Sequence, residues 1–149
     1  MAATPADAQV IMQLYDLRRE PEMRKARAWF GGEFNPSTVD ELKPLIQDMR
    51  ADANRYFRMV TSYWEMAATM VLHGAVNEEL FLDTQAEMFF VFAKIAPILD
   101  GLRQAMGSPD AMRKCETLIN KSEASKKKLA LFIERVAKFR AMAAAAAQK

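Results

Sequence analysis

The sequence predicts an all-α protein, and three observations carry that expectation. Apolar residues recur at three- and four-residue spacing along most of the 149-residue chain, and no stretch alternates with the two-residue period of a strand. Gly (5) and Pro (6) are scarce, both below average usage. Methionine is abundant at 11, while Val, Ile and Thr are sparse, a balance that favours helix over sheet. With 51% hydrophobic residues the chain can bury a core, and its length suits one domain, expected to span 1–149.

The elements follow in order. Thr4, Pro5 and Asp7 read as a cap, a first-turn proline and an early acid, and Val10, Ile11, Leu14 and Leu17 continue the period. Pro21 breaks this helix, and a short second one runs to Gly31 and Gly32, giving a broken N-terminal segment. In FNPSTVDEL, Ser37 with Asp40 or Thr38 with Glu41 has capping-box spacing, with a kink or restart at Pro44. A long helix is then expected over 44–73, stopped by Gly74. Asn77 caps the next, over 78–106, divided near Asp83 and Thr84 and kinked at Pro97. Gly107, Ser108 and Pro109 mark the boundary before a final helix over 109–145, with 141–149 either continuing it or fraying as an alanine-rich tail. Ala111, Cys115, Leu118, Ser122, Ser125, Leu129, Phe132, Val136, Phe139 and Ala143 step by four and three throughout, the seam of a left-handed helix pairing. Three long helices and a broken N-terminal segment make an elongated, mostly antiparallel bundle, with a second copy the simplest partner for the projecting end.

Formal charge is only +2, but it is uneven. Residues 59–110 hold two basic and seven acidic side chains, and residues 111–149 hold ten basic and three acidic. The ordinary expectation is that these segments lie alongside one another. The alternative is a basic face, with Lys121, Lys126, Lys127 and Lys128 as its candidates, for nucleic acid or an anionic surface. Few aromatics interleave with these cations, so nucleic acid is the less expected partner.

Cys115 is the only cysteine, which suits a reducing compartment; no apolar leader or 18-residue apolar run is visible, and a cytoplasmic location is expected. His73 is the only histidine, and three residues before it stands Met70, so the Glu-x-x-His pattern of a di-iron bundle is absent. One Cys and one His also fall short of a structural zinc site. No Gly-rich phosphate loop or dinucleotide fingerprint occurs. No catalytic residue, metal or cofactor is assigned, and the expectation leans away from an enzyme.

Four residues remain as a candidate polar cluster. Glu65 lies on the polar side of the helix whose other face carries Tyr56, Met59, Val60, Tyr63, Ala67 and Met70. His73 lies about 12 Å further along, too far to share an ion with Glu65 unaided. Lys94 is enclosed by Phe89, Phe90, Val91, Phe92 and Ile95, and shares a stripe with Glu87. For each, the plainer reading is a solvated, paired or helix-terminal side chain; the sharper one is a groove between helices holding a small molecule or lipid, or a cryptic active site.

The run ANRYFRMVTSYWEMAATMVLHGAVNEELFLD resembles small bacterial helical proteins grouped as a domain of unknown function. There a long aromatic-rich helix ends near a glycine and a short acidic segment restarts the chain. The resemblance covers about residues 35–100 and implies an all-helical fold, no assigned activity and no functional residues. The leading functional expectation is a non-enzymatic interaction or regulatory protein, self-associating as a homodimer through helix packing.

Overall fold

The computed structural model describes all 149 residues, and every regular element in it is helical. The chain forms α1 (Pro5–Arg18), α2 (Pro21–Gly32), α3 (Lys43–Gln47), α4 (Asp52–Leu72), α5 (Glu78–Thr84), α6 (Ala86–Ile95), α7 (Leu99–Met106), α8 (Arg113–Asn120) and α9 (Glu123–Ala147). Short 3-10 turns precede α3 and α7.

Several boundaries fall where local chemistry places them. Thr4 and Asp7 form a reciprocal capping box: the Thr4 N–H donates to Asp7 Oδ2 at 2.7 Å, and the Asp7 N–H to Thr4 Oγ1 at 3.3 Å. Pro21 opens α2 behind a Glu20 carboxylate that accepts from the Met23 N–H. Asn77 caps α5 through the Leu80 N–H, Gln85 separates α5 from α6, and Pro97 sits in the 3-10 turn after α6. Gly74 (φ +74°) and Gly107 (φ +61°) take the left-handed conformation that ends α4 and α7.

The three long helices of the sequence reading are each interrupted. The 44–73 segment breaks at Asp48–Ala51, where Asp48 leaves helical geometry (ψ 84°), so α4 starts only at Asp52. The 78–106 segment breaks at Gln85 and again at the Pro97 turn. The 109–145 segment is two helices, α8 and α9. Ser122 is extended (φ −135°, ψ 148°) and its hydroxyl accepts from the Ser125 N–H, so a residue read as part of a continuous seam is instead an N-cap. Pro109 does not open a helix either: α8 begins four residues later, after Met112, which is buried in left-handed geometry (φ 57°). Neither capping box expected in FNPSTVDEL forms; Glu41 accepts from the Ser37 backbone N–H instead.

One contiguous core joins these elements. α4 is its spine, packing against α2 on one side and α8 on the other, while α9 lies along α6. Trp64, Phe30, Phe81 and Phe89 are fully buried, and Phe30, Phe34 and Phe57 form an aromatic row with centroids 4.7 and 5.4 Å apart. Gly101 of α7 is set against Val39: a Cβ there would lie 1.9 Å from Val39 Cγ2.

Candidate functional site

Only α4 and α7 are followed by a left-handed glycine. Five other helices have a last-turn carbonyl bonded by a side chain from another helix, and this explains several of the polar residues singled out above. Arg27 donates to the Arg18 carbonyl at the end of α1 (3.1 Å), and Asn54 to the Leu45 carbonyl at the end of α3 (2.9 Å). Lys128 donates to the Leu82 carbonyl of α5 (2.9 Å), and Arg140 to the Lys94 carbonyl of α6 (3.3 Å). The Lys94 ammonium donates to the Phe30 and Gly31 carbonyls of α2 at 2.6 and 3.0 Å. Four of the five donors are cations at the negative end of a helix dipole, where charge and hydrogen bonding act together.

Glu65 is the mirror case. α8 has no side-chain cap of its own, because Met112 offers none. The Glu65 carboxylate of α4 accepts the Lys114 and Cys115 backbone N–H groups at 3.2 and 2.9 Å. An acid thus meets the positive end of α8 from another helix. Cys115 is fully buried, and burial, with Glu65 beside it, holds its thiol well above the ordinary range.

Glu87 lies in a third network. It accepts from Arg18 Nη1 at 3.1 Å and from Arg27 Nε and Nη2 at 2.8 and 2.6 Å. The hydrogen bond to Glu87 holds the Arg27 guanidinium above its usual range. Arg18 also faces the Tyr15 and Trp64 rings, and the Tyr63 hydroxyl donates to the Leu14 carbonyl at 2.5 Å. Burial pushes Tyr63 up to about 12. His73 is exposed at the C-cap of α4. The structure therefore does not bring Glu65, His73, Glu87 and Lys94 together: the first caps α8, the second ends α4, the third binds two arginines and the fourth caps α2. No three His, Cys, Asp or Glu side chains converge on a position that could hold a metal ion.

The four candidate basic-surface lysines also separate. Lys121 pairs with Glu78, Lys126 with Glu123 one turn earlier, and Lys128 lies over the Phe89 ring while bonding Leu82. Lys127 alone is exposed with no partner in the chain.

Two features of α9 were not singled out in the sequence. Its outer side carries Lys127, Leu131, Arg135, Lys138, Phe139 and Met142, all exposed and each three or four residues from another member of the row. Leu131, Phe139 and Met142 are 55%, 52% and 72% exposed. The signal was available in the spacing of cations with these three apolar residues, but the heptad pattern assigned Phe139 to the packed seam. The second feature is a cleft of about 300 Å³ between α6 and α9, lined by Phe90, Lys94, Phe132, Arg135, Val136 and Phe139 among others. Lys94 is 1% exposed, and burial, with Arg140 nearby, lowers its ammonium to about 8.

No helix is long and apolar enough to cross a membrane. No curated protein and no solved structure matches the chain. One family model does, over residues 3–122, a span that ends on the Ser122 cap and leaves α9 beyond it. That match covers most of the sequence, and the chain belongs to the family described as domain of unknown function DUF4760.

Proposed function

We propose that the protein is a non-enzymatic helical docking protein whose bundle presents the outer side of α9 to an anionic membrane surface. The observation that supports this most directly is the exposed row of Lys127, Arg135 and Lys138 interleaved with Leu131, Phe139 and Met142. α9 carries six basic and two acidic residues; one of the acids, Glu134, lies within the row, three residues after Leu131, and pairs with Lys138 at 2.8 Å, which leaves Lys127 and Arg135 as the row's cations without an acidic partner. Over Lys127–Met142 the row runs about 22 Å along one continuous helix. Each cation near an anionic bilayer contributes about 1 kcal/mol, and the apolar side chains add insertion at the headgroup level. The non-enzymatic part of the reading draws on the roles of Glu65, Glu87 and Lys94, whose hydrogen bonds hold helix ends and an ion cluster. In the cytoplasm, the location expected from the sequence, the inner leaflet is the surface α9 would meet.

Vesicle co-sedimentation tests the proposal. Binding to phosphatidylglycerol-containing vesicles at low salt is expected, with little binding to phosphatidylcholine and a steep loss as salt rises. The variant Lys127→Glu/Lys138→Glu should reduce it about tenfold or more. Absence of binding at low salt, or indifference to the charge reversals, overturns the reading.

Self-association is the second reading, favoured by the same three exposed apolar side chains. Its weakness is charge, since a second copy would set one basic row against another. A dimer in sedimentation equilibrium that Leu131→Ser/Met142→Ser dissociates, in a protein that ignores anionic vesicles, would establish it in place of the first.

A further inference from the structure

The cleft between α6 and α9 shares Arg135 and Phe139 with the docking row and adds Lys94, Phe90, Phe132 and Val136, which that row does not contain. Its walls are Phe90, Phe132, Val136 and Phe139. Its charged members are Lys94 and Arg135, and no acid lines it. Arg135 lies over the Phe132 ring at 5.3 Å, which holds the guanidinium beside the apolar wall. The Lys94 ammonium stands 5.3 Å from the Phe90 ring centroid, so a buried cation sits behind that wall. It spends two N–H groups on the Phe30 and Gly31 carbonyls and has no carboxylate partner. Arg140, half-buried nearby with its Nε unpaired, adds a further positive charge on the α6 end. Glu41 is the acid that acts on Arg140, and it forms no ion pair with it. A buried cation without a counter-ion in apolar surroundings is costly, and an anion arriving with its own apolar body would offset that cost.

We propose that this cleft binds a small amphipathic monocarboxylate, its hydrocarbon portion against Phe90, Phe132 and Phe139 and its carboxylate on Arg135 at the mouth. Lys94, too buried for direct contact, acts as a positioning residue through its field. The volume, about 300 Å³, is at the lower end of small-molecule sites and suits a medium-length chain or a single ring system. The carboxylate would return the Lys94 ammonium toward its ordinary range, because an opposite charge nearby favours the protonated form. This is a site for a soluble ligand and does not rest on membrane docking.

The experiment uses the full chain, decanoate below its micellar concentration, and 1-decanol as the neutral homologue. Binding is followed by calorimetry and by the Cε resonance of Lys94. Decanoate is expected to bind at least tenfold more tightly than decanol and to raise the Lys94 titration midpoint. Arg135→Gln should weaken decanoate about tenfold and leave decanol unchanged, and Phe139→Asp, at a half-exposed position that should not disturb folding, should abolish both. Lys127→Glu should alter vesicle binding and leave decanoate untouched, which separates this site from the docking surface. No decanoate binding at millimolar concentration, equal affinity for the alcohol, or indifference to both cleft substitutions would each overturn the proposal.

Discussion

The Glu65 carboxylate accepts the backbone N–H of Cys115 at 2.9 Å, across a sequence separation of 50 residues. An acid on the polar side of α4 is the N-terminal cap that α8 cannot provide for itself. Glu65→Ala is therefore expected to destabilise the protein by about 1–2 kcal/mol, the range of a lost N-cap. Urea denaturation measures this. Because α8 then opens more readily, the buried Cys115 thiol should react faster with a thiol reagent under native conditions. An unchanged midpoint and unchanged thiol kinetics would rule out the capping role.

Lys94 makes stability depend on alkaline pH. Its pKa falls from 10.5 to about 8 on folding, so between these values the unfolded chain binds more protons than the native one. Wild-type stability should then rise as pH rises from 8 towards 10.5, by up to about 3 kcal/mol, relative to Lys94→Met. Tyr63 runs the other way at higher pH. Its pKa rises from 10.0 to about 12, so its contribution is complete below 10 and is lost between 10 and 12. Chemical denaturation across pH 7–10 stays below the Tyr63 window, and because the raised Cys115 thiol lowers stability above pH 9.0 in both proteins, the difference from Lys94→Met isolates the lysine. A wild-type curve parallel to the Lys94→Met curve would contradict the assignment.

Glu87 and Glu22 are both ion-paired, and they should differ sharply. Glu87 is 18% exposed and is the shared counter-ion of two arginines, one of which lies over the Tyr15 and Trp64 rings; Glu22 is 44% exposed and pairs with Lys25 one turn away. Glu87→Gln leaves two part-buried guanidinium groups without a counter-ion and should cost about 2–3 kcal/mol, somewhat below the loss from breaking a fully buried pair. Glu22→Gln should cost less than about 1 kcal/mol. Equal losses by thermal denaturation would show that the Glu87 cluster is as solvated as the surface pair.

Gly101 separates helix propensity from packing. Alanine is about 1 kcal/mol better than glycine inside an isolated helix, so α7 alone would be stabilised by Gly101→Ala. The added Cβ would meet Val39 Cγ2 at 1.9 Å and its Cβ at 3.1 Å, and such overpacking costs about 1–3 kcal/mol. Gly101→Ala should be net destabilising, and Val39→Ala in the same chain should recover most of the loss. A simple sum of the two single effects in the double-mutant cycle would mean that the residues do not touch.

The all-helical class, the core faces and most punctuation were legible because they depend on residues near one another in the chain. The Thr4–Asp7 box, Pro21, Gly74, Asn77, the break near Thr84, the Pro97 turn and Gly107 act within one helical turn of themselves. The burial of Lys94 was also visible in its run of apolar neighbours. The continuous final helix was misread because a four-three repeat records which side is apolar and is blind to backbone geometry. Ser122 preserves the period while its extended backbone interrupts the helix. The same repeat puts Phe139 on the packed seam, whereas its ring lies at the edge of the α6–α9 cleft and stays 52% exposed.

By itself the sequence settled that this chain folds into helices with one oily interior, since helical period and turn chemistry are local properties. The tertiary structure alone decided what its ionisable residues do. Glu65 meets α8, Lys94 meets α2, and Glu87 meets Arg18 and Arg27, each across long stretches of chain. It also decided which residues of α9 face outward, and that two of them, Arg135 and Phe139, line the mouth of a cleft against α6. These outcomes depend on which helix ends lie beside which side chains, and a one-dimensional pattern of charges contains no distance between them.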